Sequence, residues 1–301
     1  MSQTDTTSSK AGDLPPLAGK TVLVTGASRG LGLEVARQFA RAGADVAMAA
    51  RDKAALVDAG RLVTDDRASM GQRVRYDYAA DLADPARVDA LAAAVLNDFA
   101  AVDVLVNNAS VQGPIGPLEA VDFAAWRAVF DVNLFAAARL CQLVLPSMRA
   151  SGRGKIINVS GGGATGPRPD FSAYALTKVA IVRLTETLAE ELKGTAIDVN
   201  AVAPGAMNTR MLEEVLAAGP AAAPREYEAA VKRAQAGGTP PAKAAELIVW
   251  LATPASDGIT GRLLSAVWDD WRGLTSRREE LAKSDVYTLR RIVPKDRGLD
   301  W

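Results

Sequence analysis

The chain has 301 residues, 49% of them hydrophobic, and its 35 Lys and Arg balance 35 Asp and Glu. That is enough apolar material for one sizeable core, with no net field to draw the protein to nucleic acid or an anionic membrane. There is no histidine and one cysteine, Cys141, so Ser-His-Asp and Cys-His relays and an internal disulfide cannot be assembled, and no metal site is expected. Any general acid or base must be Tyr, Lys, Asp or Glu.

Residues 1–18 are polar, small and proline-containing, and are predicted to form a disordered arm. They lack the basic-then-apolar order of a signal peptide, and no window reaches the apolar length of a membrane span, so the expected location is the cytoplasm. From Lys20 the pattern changes. The β-branched run 21–26 ends in glycine and is followed by helical spacing at Leu31, Val35 and Phe39: strand, turn, helix. The alternation continues with a strand at 44–50, a helix at 52–69, a strand at 73–82, a helix at 85–99 and a strand at 102–109. Two helices follow, at 122–131 and 132–150, then a strand at 154–160, a helix at 172–193 and a strand at 196–205. A mobile-looking helical region at 206–238 precedes a last strand at 261–267. Short apolar strands alternating with helices define an α/β fold: a doubly wound, mostly parallel seven-stranded sheet with helices on both faces. Residues 19–267 are predicted to be one domain, and 268–301 an extension.

The first strand-to-helix turn reads TGASRGLG, Thr25 to Gly32. Gly26, Gly30 and Gly32 allow a tight turn and close backbone approach. With Ser28, Arg29 and Leu31 they form a cradle whose free N–H groups and helix N-terminus suit a pyrophosphate. At the end of the second strand, where an NAD site usually presents a carboxylate to the ribose, stands Arg51, with Arg29 nearby. Two guanidiniums suit a 2′-phosphate, so the expected cofactor is NADP(H) rather than NAD(H). Asp52 could reach the ribose if the turn is shifted by one residue.

With this glycine pattern, Asn107-Asn108-Ala109 after the fourth strand, Tyr174-x-x-x-Lys178, and APGAMNT at 203–209 in the same order, the chain resembles the short-chain dehydrogenase/reductase family over about residues 18–267. The resemblance implies a Rossmann fold and an oxidoreductase interconverting a secondary alcohol and a ketone. Tyr174 and Lys178 at i and i+4 share a helix face, so the ammonium can stabilise a tyrosinate. The resemblance also implies that Lys178 holds the nicotinamide ribose and that Asn133 keeps a water in the proton relay. It assigns Asp81 and Leu82 to the adenine, Asn107 to support of the central strand, Asn108 and Ala109 to the cofactor loop, and Pro204, Gly205, Met207 and Thr209 to the segment orienting the carboxamide. A homodimer or homotetramer is expected from helices 132–150 and 172–193, with Cys141 as buried packing.

One position departs from the family. Its serine stands thirteen residues before the tyrosine, which here is Gly161; Ser160 is one residue off. On a strand end that slip reverses the side chain, unless the run Gly161-Gly162-Gly163 bulges. Three readings stay open. Ser160 swings in and completes a Ser-Tyr-Lys triad; a glycine N–H, a water, Ser172 or a substrate hydroxyl replaces it; or hydride transfer is lost and the protein is a catalytically silent NADP(H)-binding or redox-neutral relative. Downstream, WDDWRGL replaces the family's usual Asp-Gly-Gly. The extension is read as an oligomer contact, or as a pocket cover with Trp268 or Trp271 as a wall. Arg168, between two prolines, is a candidate for the cleft.

Overall fold

The computed structural model describes residues 15–301. Seven strands form one parallel sheet in the order β3-β2-β1-β4-β5-β6-β7. They are β1 Thr21–Thr25, β2 Asp45–Ala50, β3 Val74–Ala79, β4 Val104–Asn107, β5 Gly154–Val159, β6 Ile197–Ala203 and β7 Leu263–Ser265. The intervening helices are α1 Gly30–Arg41, α2 Lys53–Asp65, α3 Pro85–Phe99, α4 Phe123–Phe130, α5 Ala136–Ser151, α6 Ser172–Glu191, α7 Arg210–Ala218, α8 Pro224–Ala236, α9 Pro241–Ala252 and α10 Arg278–Ala282. Strand parity builds two cores. Val22, Val24, Val104, Val106 and Ile157 face the layer of α1 and α9, while Leu23, Leu105 and Ile156 face that of α3 and α5.

Four expectations change. The arm does not extend to residue 18: Leu17 is buried and its N–H bonds the Ala42 carbonyl, because an apolar side chain beside the α1–β2 turn has somewhere to pack; residues 1–14 lie outside the described residues. The helices expected at 122–131 and 132–150 are one continuous rod joined by a π-helical turn, Asp131–Phe135. Joined, the rod is long and apolar enough to cross a membrane by length and composition, which neither half suggested. Its Leu140, Cys141, Val144 and Met148 are instead buried against the sheet. α9 was not expected at all. Its sequence AAELIVWLA is apolar on nearly every side, so it has no clear helical period, and it is buried against α1 and the sheet.

The fourth concerns Trp271, expected as a pocket wall; the extension that carries it folds back on its own domain. Arg262 donates to the carbonyls of Leu281, Ser284 and Val286, and Leu263 N–H bonds the Tyr287 carbonyl. The tail therefore covers the free edge of β7. Trp271 is buried against Trp250 of α9, in the core rather than a pocket, and Trp268 is exposed.

Candidate active site

The candidate site residues at strand ends lie along one edge of the parallel sheet, at the C-terminal ends of β1 to β6. At β1 the backbone is tightly interlocked. Gly26 has φ +66°, and a Cβ there would lie 2.9 Å from Ala109 Cα. A Cβ on Gly32 would overlap the Gly26 carbonyl and lie 2.5 Å from Asn108 Nδ2. Asn108 donates to the carbonyls of Thr25 and Gly26, while the hydroxyl of Thr25 accepts from the Asn108 and Ala109 N–H groups. Gly30, at φ +55°, faces open space. Arg29 occupies the N-cap of α1 with no side-chain cap bond, and the first turn has no acid. The orphan N–H groups and the positive helix end are thus free for an anion, which fits a dinucleotide pyrophosphate. Ser28 is half-buried beside them and Leu31 is buried beneath.

Around this turn the other residues of the family pattern collect. Arg51 is exposed directly after β2, and Asp52 is committed as the N-cap of α2, accepting from Ala55 N–H. Asp81 and Leu82 follow β3, with the Asp81 carboxylate accepting from Ala83 N–H. Pro204, Gly205 and Met207 follow β6. Gly205 has φ +87° and its Cβ position is crowded by Val267 and Thr239. Thr209 stands at the N-cap of α7 without a side-chain cap bond.

On the other side of the cleft, α6 begins just past the glycine run and carries Tyr174 and Lys178 one turn apart, both buried. Lys178 Nζ donates to the Val159 carbonyl at 3.0 Å and lies 5.3 Å from the centre of the Tyr174 ring. Burial lowers Lys178 to about 8. The phenol is raised by burial and lowered by the charge of Arg168. The net effect is upward, and the Arg168 guanidinium and the Lys178 ammonium both lie 5.3 Å from the ring centre. Asn133 sits in the π-turn, fully engaged: its Oδ1 accepts from Val111 N–H, and its Nδ2 donates to the Val111 carbonyl and the Thr177 hydroxyl. Asn107 Nδ2 donates to Asn158 Oδ1, and Asn158 in turn donates to Thr185. Burial raises the Cys141 thiol to about 12, so it is packing.

The glycine run resolves the serine question geometrically. A Cβ on Gly161 would lie 2.5 Å from Tyr174 Oη, so residue 161 is the one facing the phenol. The Ser160 hydroxyl points the other way, 3.4 Å from the Lys178 carbonyl. Strand parity holds, no bulge rotates Ser160 inward, and the Ser160-Tyr174-Lys178 triad is not formed. The Ser172 hydroxyl accepts from Trp126 Nε1 at 2.9 Å and keeps its own O–H to donate. Sequence reasoning missed Thr25, Asn158 and Thr185, whose only signal was polarity at otherwise apolar strand or helix positions. It also missed Glu226, which pairs with Arg168.

The family model for short chain dehydrogenases matches residues 20–219. A short chain dehydrogenase of Monascus purpureus is 31% identical over 276 residues, covering 91% of this chain and 89% of the relative. The L-fucose dehydrogenase of Oryctolagus cuniculus is 35% identical over 242 residues, covering 79% and 81%. Among solved structures, NAD+-bound xylitol dehydrogenase superposes with a TM-score of 0.71 at 28% identity, covering 83% of this chain and 98% of that one. Levodione reductase superposes with 0.75 at 25%, covering 86% and 99%. The chain belongs to the short-chain dehydrogenase/reductase family. It is an oxidoreductase of the alcohol–ketone type, and the nucleotide of its family is NAD(P)(H).

Proposed function

We propose that the protein is an NADP(H)-dependent oxidoreductase that interconverts a secondary alcohol and a ketone, with Tyr174 as the general acid and base. The observation that carries this reading is the buried Tyr174–Lys178 pair at the end of β5, across the cleft from the uncapped glycine turn of α1. The pyrophosphate would rest on Gly26, Ser28, Gly30, Leu31 and Gly32, with the adenine beside Asp81 and Leu82 and the 2′-phosphate between Arg29 and Arg51. Asn108 and Ala109, then Pro204, Gly205, Met207 and Thr209, would border the nicotinamide end. A bound NADPH supplies hydride to the carbonyl carbon.

The residues handle the proton. In reduction, the Tyr174 hydroxyl delivers H⁺ to the carbonyl oxygen, leaving a tyrosinate that Lys178 refills from solvent; oxidation runs the same path backwards. Asn133, locked to Val111 and Thr177, fixes the helix turn behind Lys178. Without a serine donor at Gly161, one hydrogen bond to the substrate oxygen is absent, a loss on the order of a hundredfold to a thousandfold that leaves the proton path intact. The exposed Phe123 and Phe135 on the α4–α5 rod support a homo-oligomer built through that face.

The experiment is a panel of ketones and sugars assayed by NADPH oxidation. Wild type turns over, and Tyr174→Phe loses about a thousandfold or more while still quenching protein fluorescence with NADPH. Arg51→Ala weakens NADPH and spares NADH. Turnover that survives in Tyr174→Phe sinks the assignment of the proton donor.

A further inference from the structure

The loop from β5 to α6 carries a cation that the family mechanism does not use. The Arg168 guanidinium lies 4.0 Å from the centre of the Phe171 ring and 5.3 Å from that of Tyr174. Its Nη2 donates to Glu226 Oε2 of α8 at 2.9 Å, and the side chain is only 17% exposed. A Cβ on Gly162 would sit 3.7–3.9 Å from Arg168 Cδ, Nε and Nη1, and a Cβ on Gly161 would sit against Tyr174 Oη. Guanidinium and phenol thus lie over adjacent glycines, held from below by a backbone without side chains.

We propose that Arg168 is a positioning residue that sets the ionisation of the Tyr174 phenol, with Glu226 holding it there and moderating its charge. This rests on the reading of Tyr174 as acid and base. Closest to the phenol ring are Lys178 on its own helix and Arg168 on the loop, each 5.3 Å from its centre; Asp170 shares the loop, and the packed helices carry Arg210, Glu213 and Glu214 on α7 and Arg225, Glu226, Glu228, Lys232 and Arg233 on α8. Lys178 is anchored to the Val159 carbonyl. Asp170 has φ +67°, and its carbonyl accepts from Gly116 N–H. To the apolar cluster around Tyr174, α7 and α8 bring Leu212, Val215 and Ala230. Glu226 reaches the Arg168 guanidinium from α8 at 2.9 Å. A cation against a buried aromatic ring favours the tyrosinate over the phenol.

The test exploits the sign of each charge. The tyrosinate ultraviolet band is titrated in the full chain, and Tyr174 is isolated by difference from Tyr174→Phe. Removing the cation with Arg168→Met shifts the Tyr174 midpoint upward by about one pH unit, and Arg168→Lys restores most of it. Glu226→Gln, which leaves the guanidinium uncompensated, shifts the midpoint downward. A purely structural clasp between loop and α8 would be broken by both variants and would move the midpoint the same way in each; that result, or an unmoved midpoint in Arg168→Met, overturns the proposal. If Arg168→Met does not fold, the sign in Glu226→Gln decides alone. The pH midpoint of turnover on a working substrate gives a second measure of the same shifts. Because the titration needs no substrate, it judges the Arg168–Tyr174 coupling separately, whereas a Tyr174→Phe chain that remains active defeats the acid–base reading itself.

Discussion

The two sides of the cleft are built on opposite principles. Around the β1–α1 turn, recognition belongs to the backbone: Gly26, Gly32, Thr25 and Asn108 interlock so closely that no Cβ fits, and the N–H groups at the head of α1 face outward. Around the β5–α6 loop three glycines stand in a row, Gly161 against the Tyr174 hydroxyl and Gly163 against Ala175, and the chemistry falls to long side chains: Tyr174, Lys178 and Arg168, the last tied to α8 by Glu226. A site made of backbone depends on size and has little latitude. A site made of side chains depends on charge and reach, so one group can be exchanged for another.

The sharpest way to break this contrast is the same substitution on both sides. Gly32→Ala drives a methyl into the Gly26 carbonyl and Asn108, with backbone on one flank that cannot swing away. It should cost about 3 kcal/mol or more and abolish NADPH binding, read as a lower Tm and a lost fluorescence response. Gly162→Ala meets only the Arg168 side chain, its Cδ and guanidinium, at ordinary contact distance. It should stay within about 0.5 kcal/mol. Equal costs at the two positions would erase the distinction.

Lys178 sharpens the comparison next, because it separates function from stability. Burial holds it at about 8, against the ~10.4 of an unfolded lysine. Above about pH 10.4 both states are neutral. As the pH falls toward 8 the unfolded chain takes up the proton first, so the native state loses stability through that window and keeps the deficit below it. Lys178→Met retains the aliphatic stem and removes the charge. At neutral pH it should stabilise the cofactor-free protein by an amount on the order of 3 kcal/mol, with no rise in stability between about pH 8 and 10.4, while turnover disappears. Denaturant melts across that range measure it.

How much of this was legible depends on whether the signal was local. All seven strands could be placed because β-branched apolar runs bounded by turn residues are a local pattern, and the bounds expected for α3 are those observed. The glycine turn and the Tyr174–Lys178 pair were legible for the same reason, since their spacing is their geometry. Strand parity alone pointed Ser160 away from Tyr174, and its hydroxyl lies on the Lys178 carbonyl. What stayed hidden joins distant segments: Arg168 to Glu226, Thr25 to Asn108, Arg262 to the tail. α9 was missed because an all-apolar run has no period to read, and the π-turn because nothing in DVNLF distinguishes it from an ordinary helical turn.

At Gly161 size and chemistry can be pulled apart. A Cβ there would sit 2.5 Å from Tyr174 Oη, so any side chain forces the phenol back. Gly161→Ala should cost about 1–2 kcal/mol and lower kcat, by steric displacement alone. Gly161→Ser carries the same Cβ plus the hydroxyl that the rest of the family uses. Its kcat should exceed that of the alanine variant by about tenfold, the recovered part of one oxyanion donor. Identical kcat values would mean that the loop has been rebuilt so thoroughly around Arg168 that a serine no longer finds the substrate oxygen.

The smallest effect belongs to the residue that most resembled a catalytic one. Ser160 is buried, its N–H is paired with the Val202 carbonyl, and its hydroxyl makes one long bond of 3.4 Å to the Lys178 carbonyl. A bond of that length is weak, and its acceptor lies inside α6 rather than in the cleft. Ser160→Ala should therefore cost no more than about 1 kcal/mol and leave kcat within about twofold of wild type, with an unchanged pH profile. A large loss of kcat at unchanged stability would mean that the hydroxyl turns toward Tyr174 when substrate binds, and that the side-chain half of the cleft keeps its serine after all.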